Sequence, residues 1–173
     1  TQFIDFRPET LGEGKGSAKL KDVSGRIGTD GARFESVELW SEDGQTPLDR
    51  LRSGESFRLR MRVRAESDIA NPVFCYRIDT LRGIFLTGST SRYDGVSLGF
   101  MKGEQSHVVD VMLDLPLKPD LYSVALYLND IPEGLPPVTV DGLETAFQLR
   151  LLDGTGKPPI YLLETSRGWV RMD

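Results

Sequence analysis

The segment SFRLRMRVRAE, residues 56–66, sets an arginine at every second position. Arg58, Arg60, Arg62 and Arg64 share one parity, and Phe57, Leu59, Met61, Val63 and Ala65 the other. A period of two belongs to a β-strand with one face in a core and one toward water. Arginine is rarely buried, so the guanidinium row faces outward. Two uses of that row stay open. Asp110 and Asp114, on the outer face of another predicted strand, can meet two of the arginines in cross-strand pairs, giving a charged face that resists stray sheet stacking. Alternatively, the row binds an acidic sugar or a phosphate.

The same alternation recurs along the chain. RFESVELW turns Val37 and Leu39 inward and Glu38 and Trp40 outward. IANPVFCYRIDT puts Phe74, Tyr76 and Ile78 on one face, with Cys75, Arg77 and Asp79 on the other. GIFLTGST is a shorter strand. HVVDVMLDL, LYSVALYLND and TAFQLRLL follow, the last two with Tyr122, Val124, Leu126, Leu128, Phe147, Leu149 and Leu151 inward. Glycine, proline and aspartate turns separate these runs, and no long window has helical spacing. The fold class this predicts is all-β, a two-sheet antiparallel β-sandwich of immunoglobulin-like or jelly-roll type. Residues 25–157 form the sandwich. Residues 1–24, with the glycine-rich GEGKGSAKLKD, are expected to be a linker or arm. Residues 158–173 follow the Pro158-Pro159 pair and are expected to supply a terminal strand, IYLLE within it, exchanged between subunits.

Composition narrows the function. A net charge of -5 and a pI near 5.0 disfavour a nucleic-acid partner. The single cysteine, Cys75, forms no internal disulfide. No apolar run reaches the roughly 20 residues of a membrane span. His107 is the only histidine, which excludes a histidine-rich metal centre. Asp110 lies three residues from it and so on the opposite strand face, which leaves no catalytic triad between them. GEGKGS lacks the Lys-Ser/Thr ending, preceding strand and following helix of a phosphate loop. No cofactor and no catalysis are expected. A glycan-modifying hydrolase remains a minor alternative, since 26 acidic residues make some close carboxylate pair unavoidable.

The outward residues of the second predicted sheet are Arg77, Asp79, Tyr127, Asn129, Gln148 and Arg150, separated by small Ser123 and Ala125. Sugars are held by such sets: an aromatic face covers ring C–H groups, while planar amide, carboxylate and guanidinium groups take hydroxyls in pairs. An ordinary mixed polar surface is the competing reading. Trp40 and Tyr93 are further aromatics expected near the surface.

Three stretches carry a resemblance. RIGTDGARFESVELWSEDGQ with SGESFRLRMRVRAE, DIANPVFCYRIDTLRGIFLTGSTS, and LPLKPDLYSVALYLND occur in this order. Their marks are Gly-Thr before the first strand, Ser-Gly-Glu before the second, Asn-Pro-x-Phe opening the third and Pro-x-x-Tyr before a late strand. Together they resemble the C-terminal domain of the ATP-binding subunit of O-antigen polysaccharide ABC exporters, over residues 25–152. Asp120 stands where that family usually has glycine. The resemblance implies a non-catalytic carbohydrate-binding module that recognises the non-reducing terminus of a lipid-linked O-antigen polysaccharide for export. It implies a homodimer with its last strand exchanged, and partnership with the transporter's nucleotide-binding and membrane subunits. Such a module lies in the cytoplasm at the inner face of the inner membrane, with an ATPase domain preceding Thr1. A purely structural dimerisation domain of the same subunit is the alternative. The resemblance transfers no ligand-contacting residue to this sequence.

Overall fold

A computed structural model describes residues 8–154 and 166–173. Ten strands are present and no helix among the described residues. They are β1 (Thr10–Leu11), β2 (Ser17–Lys19), β3 (Ala32–Ser41), β4 (Ser56–Ala65), β5 (Pro72–Thr80), β6 (Phe85–Thr90), β7 (Gln105–Asp114), β8 (Leu121–Asp130), β9 (Val138–Arg150) and β10 (Ser166–Arg171). One sheet has the order β1-β9-β8-β5-β6 and the other β10-β7-β4-β3-β2. All pairings are antiparallel except β1 with β9. The predicted β-sandwich is the observed architecture.

Alternation built it as expected. Phe57, Leu59, Met61 and Val63 of β4 point into the space between the sheets, facing Tyr76, Ile78, Leu126 and Phe147 of the other layer. Burial of this apolar set, at roughly 25 cal/mol per Å² removed from water, is the main source of stability. Phe34 and Phe74 meet edge-on across the core, with centroids 5.9 Å apart.

Residues 10–24, expected within a linker or arm, are instead part of the sandwich. β1 and β2 extend the two sheets at their edges, and Leu11 and Leu20 are fully buried. Glycine-rich composition concealed two short strands whose apolar residues are too few to show a period. The following segment is pinned by charge: Arg26 Nη1 donates to Asp141 at 2.8 Å, Arg26 also donates to the Leu20 carbonyl, and Asp141 accepts the Phe34 N–H at 2.8 Å. Burial pushes the Asp141 carboxyl up and the Arg26 guanidinium down, so the pair is costly to bury and its partners offset that cost only together.

At the other edge, β10 pairs with β7 of its own chain. Trp169 enters the core beside Tyr76, with centroids 6.0 Å apart. Asp94, in the loop between β6 and β7, accepts from Trp169 Nε1 at 2.7 Å, from Ser166 and from Ser89, tying β10 of one sheet to β6 of the other. The end of β10 is fastened at His107, which is buried. Its Nε2 meets the Lys102 carbonyl at 2.8 Å, and its Nδ1 lies 2.8 Å from Asp173 and 2.6 Å from Arg171 Nη2. Burial alone would raise the Asp173 carboxyl, but hydrogen bonds from Arg171 and His107 overcome it and bring the pKa to about 2. The Pro158-Pro159 hinge and the IYLLE strand lie outside the described residues.

Candidate functional site

The outer face of β1-β9-β8-β5-β6 can be laid out in cross-strand rows. The first row pairs Leu121 with Arg150. The next runs Phe85, Asp79, Ser123, Gln148, Thr10, and the third joins Gly88, Arg77 and Ala125. The fourth is Thr90, Cys75, Tyr127, Gly142, Ile27, and the last is Val73, Asn129, Thr139. At about 3.4 Å per residue, the eight steps from Leu121 to Asn129 span roughly 27 Å.

Arg77, Asp79 and Tyr127 come together at its centre. Arg77 Nε donates to Asp79 Oδ2 at 3.1 Å, and Nη2 lies 3.1 Å from the same oxygen. Asp79 is buried, and its Oδ1, shut off from solvent, has no hydrogen-bond partner among the described residues. Tyr127 is half-buried. Burial raises its phenol pKa, Arg77 works against that, and Glu144, Cys75 and Asp79 add to it. The ring lies over Gly142: a Cβ there would stand 2.8 Å from Tyr127 Cδ1 and 2.8 Å from Ile27 Cγ1. Gly142 thus leaves room for the edge of the Tyr127 ring and for the exposed Ile27 side chain.

The remaining predicted residues stand apart from this centre. Gln148 is in the Asp79 row and its Oε1 accepts from Thr10 at 3.4 Å. Arg150 lies about 14 Å along the strand direction from the Arg77 row, and its Nε is paired with Glu13 at 3.3 Å. Asn129 occupies the opposite end. The six therefore line one face but not one pocket.

Three contributors escaped sequence reading. Phe85 is 55% exposed and its ring edge reaches toward Gly88, whose missing side chain leaves room for it. Glu144 projects from an irregular stretch of β9, where residues 144–146 oppose Ala125 alone and break the alternation. Ile27 joins the face through backbone bonds to Gly142 at 3.0 and 2.8 Å. Only the outward parity of Phe85 within GIFLTGST was a usable signal.

The arginine row on the other sheet is largely spoken for. Arg60 grips Asp110 through two bonds of 2.8 and 3.0 Å, and Arg58 reaches the same carboxylate at 3.4 Å. Asp110 is thereby fully buried although it points outward. Arg60 also lies 4.3 Å over the Trp40 ring, worth about 1 kcal/mol. Asp114 does not meet the row; it pairs with Arg167 at 2.9 Å and accepts from Ser56. Arg64 meets Glu66 at 3.7 Å, which leaves Arg62 exposed and without a partner among the described residues. Cys75 is half-buried, and burial raises its thiol pKa despite the Arg77 charge, which disfavours a reactive thiolate.

Comparison with known proteins fixes the family. The family model described as the Wzt C-terminal domain matches residues 23–160. This chain belongs to the Wzt C-terminal domain family. The resemblance read from the sequence, to the C-terminal domain of an ABC exporter's ATP-binding subunit, is thus established, and the chain is a transporter-associated domain. Among solved structures, the C-terminal domain of Wzt aligns at a TM-score of 0.65 and 18% identity, covering 88% of this chain and 87% of that one. At that identity it speaks for the fold. A family 123 glycoside hydrolase from Clostridium perfringens, described in connection with glycolipid glycan hydrolysis, reaches a TM-score of only 0.39 at 10% identity over 68% of this chain and 27% of that one. No curated protein matches the sequence significantly.

Proposed function

We propose that this domain is a non-catalytic carbohydrate-binding module that takes the non-reducing end of a lipid-linked O-antigen polysaccharide and presents it to an ABC exporter. The observation that carries this reading is the Tyr127 ring lying on Gly142 beside the Arg77–Asp79 pair. An aromatic face and a guanidinium fork held in place by a buried carboxylate are the groups that cover and hydrogen-bond a pyranose. Membership of a transporter-associated family supports a glycan cargo. Both ring nitrogens of His107 are engaged within the fold, so the sole imidazole has no free nitrogen to serve as a base. The test is calorimetric titration of the 173-residue chain with O-polysaccharide from the cells that make it. Saturable binding without release of reducing sugar is expected. No binding at millimolar sugar overturns the reading, and released reducing ends would replace it with the hydrolase.

The second reading, a dimerisation domain that touches no glycan, draws on β10. Among the described residues that strand sits at a sheet edge with β7 as its single strand neighbour, yet carries the core residue Trp169. Residues 158–173 would then be exchanged between two cytoplasmic subunits docked on the transporter. Light scattering decides the oligomeric part, since a mass of 19.3 kDa in solution excludes a dimer.

A further inference from the structure

An open sheet face grips any stretch of a regular polymer, interior or terminal. To distinguish an end, something must block the chain's continuation, so that interior residues clash. The face around Tyr127 is bounded at its Asn129 end by a second feature. Loops following β4, β6 and β8 line an open cleft of about 1000 Å³, the upper end of the range for small-molecule sites. Val73 lines this cleft and is the register partner of Asn129, so cleft and face are continuous.

The cleft is built firmly. Asn71 Nδ2 donates to the Ile131 carbonyl at 2.9 Å, Ile131 N–H donates to the Asn71 carbonyl at 3.1 Å, and Asp130 Oδ1 accepts the Asn71 N–H at 2.9 Å. Pro132 and Pro137 fix the backbone of the wall opposite the β6–β7 loop. Two charged groups in the lining, Arg92 and Glu133, have no partner among the described residues, and Leu135 is 64% exposed beside them. An unpaired fork of donors, an unpaired carboxylate and an apolar side chain are groups that can take sugar hydroxyls and cover a ring.

We infer that this loop cleft holds the terminal sugar residue of the polysaccharide and reads the chain end, while the Tyr127 face carries the sugars behind it. The inference rests on the glycan-binding reading and adds the place where the terminus is told from the interior. The three loops stop the polymer, and Arg92 and Glu133 take hydroxyls that only a terminal residue brings into the cleft.

Size-fractionated O-polysaccharide, short and long, provides the test by analytical ultracentrifugation. An end reader binds one domain site per chain at every length, with affinity per chain independent of length. The double variant R92A/E133Q, at exposed positions, is expected to melt with wild type and to lose about tenfold in affinity per chain. A double variant that binds as wild type does overturns the inference and leaves the proposed function standing. Bound sites that increase in proportion to chain length overturn both the inference and recognition of the chain end, leaving glycan binding alone. Absence of any binding by the wild-type chain removes glycan binding as well.

Discussion

The two outer faces of this sandwich arise from the same alternating pattern and end in opposite states. On β10-β7-β4-β3-β2, charge is consumed internally: Asp110 lies beneath Arg58 and Arg60, and Arg60 covers Trp40. On β1-β9-β8-β5-β6, small residues at 88, 123, 125 and 142 keep side chains apart. The Arg77 fork is held by a buried Asp79, and Glu144 is exposed without a partner among the described residues. A row of like charges is conspicuous in sequence, but its neighbours satisfy most of it. The quieter face, with fewer charges and more gaps, is the one proposed to bind. What counts is the balance of donors and acceptors left after folding, more than the number of charges.

The largest effect expected from breaking this contrast is at Asp110. Asp110→Ala leaves two guanidinium groups facing each other without their carboxylate and is expected to cost about 3 kcal/mol of stability, read from urea unfolding. Sugar affinity should be unchanged, and a loss of binding in the folded variant would mean that the arginine face is the site. Tyr127→Ala is expected to weaken polysaccharide affinity by about 2 kcal/mol, at the hot-spot level for an aromatic anchor, with a smaller change in melting temperature. Gly142→Ala sharpens the point, because it removes no functional group. Its methyl must displace Tyr127 or Ile27, with an expected cost of about 1–2 kcal/mol by overpacking and a matching loss of affinity.

Two smaller effects complete the series. The Asp173 carboxyl, depressed to about 2 by Arg171 and His107, stabilises the fold fully above its unfolded value near 4, and this contribution is lost as pH falls through about 2. The difference in melting temperature between wild type and Asp173→Asn should therefore be constant from neutral pH to about 5 and narrow below 4. A gap that stays open at pH 2 would contradict the assigned contacts. Arg62→Ala, at the unpaired member of the row, is expected to change stability by no more than about 0.5 kcal/mol and binding not at all.

Strand positions and inward residues were legible wherever a segment was long enough to show its period, as in β4, β5, β7 and β8. β1 and β2 were not, since two or three residues carry no period and their burial depends on sheets formed by distant segments. The candidate face was half legible. Parity put Arg77, Asp79 and Tyr127 outward together, because they lie on paired strands in compatible register. Parity equally put Arg150 outward, and could not reveal that it lies at the far end of the sheet beside Glu13. Glu144 was hidden by an irregularity that a strict period of two does not anticipate.

The sequence by itself determined the sandwich, its family and which side chains avoid the core, because alternation and turn residues act through neighbours a few positions away. Tertiary structure alone decided which charges are already neutralised, where Gly142 makes a bed for Tyr127, and that three loops meet around a cleft. Those outcomes depend on register and on the approach of segments far apart in the chain. They follow from the packing of whole sheets, which no local pattern encodes.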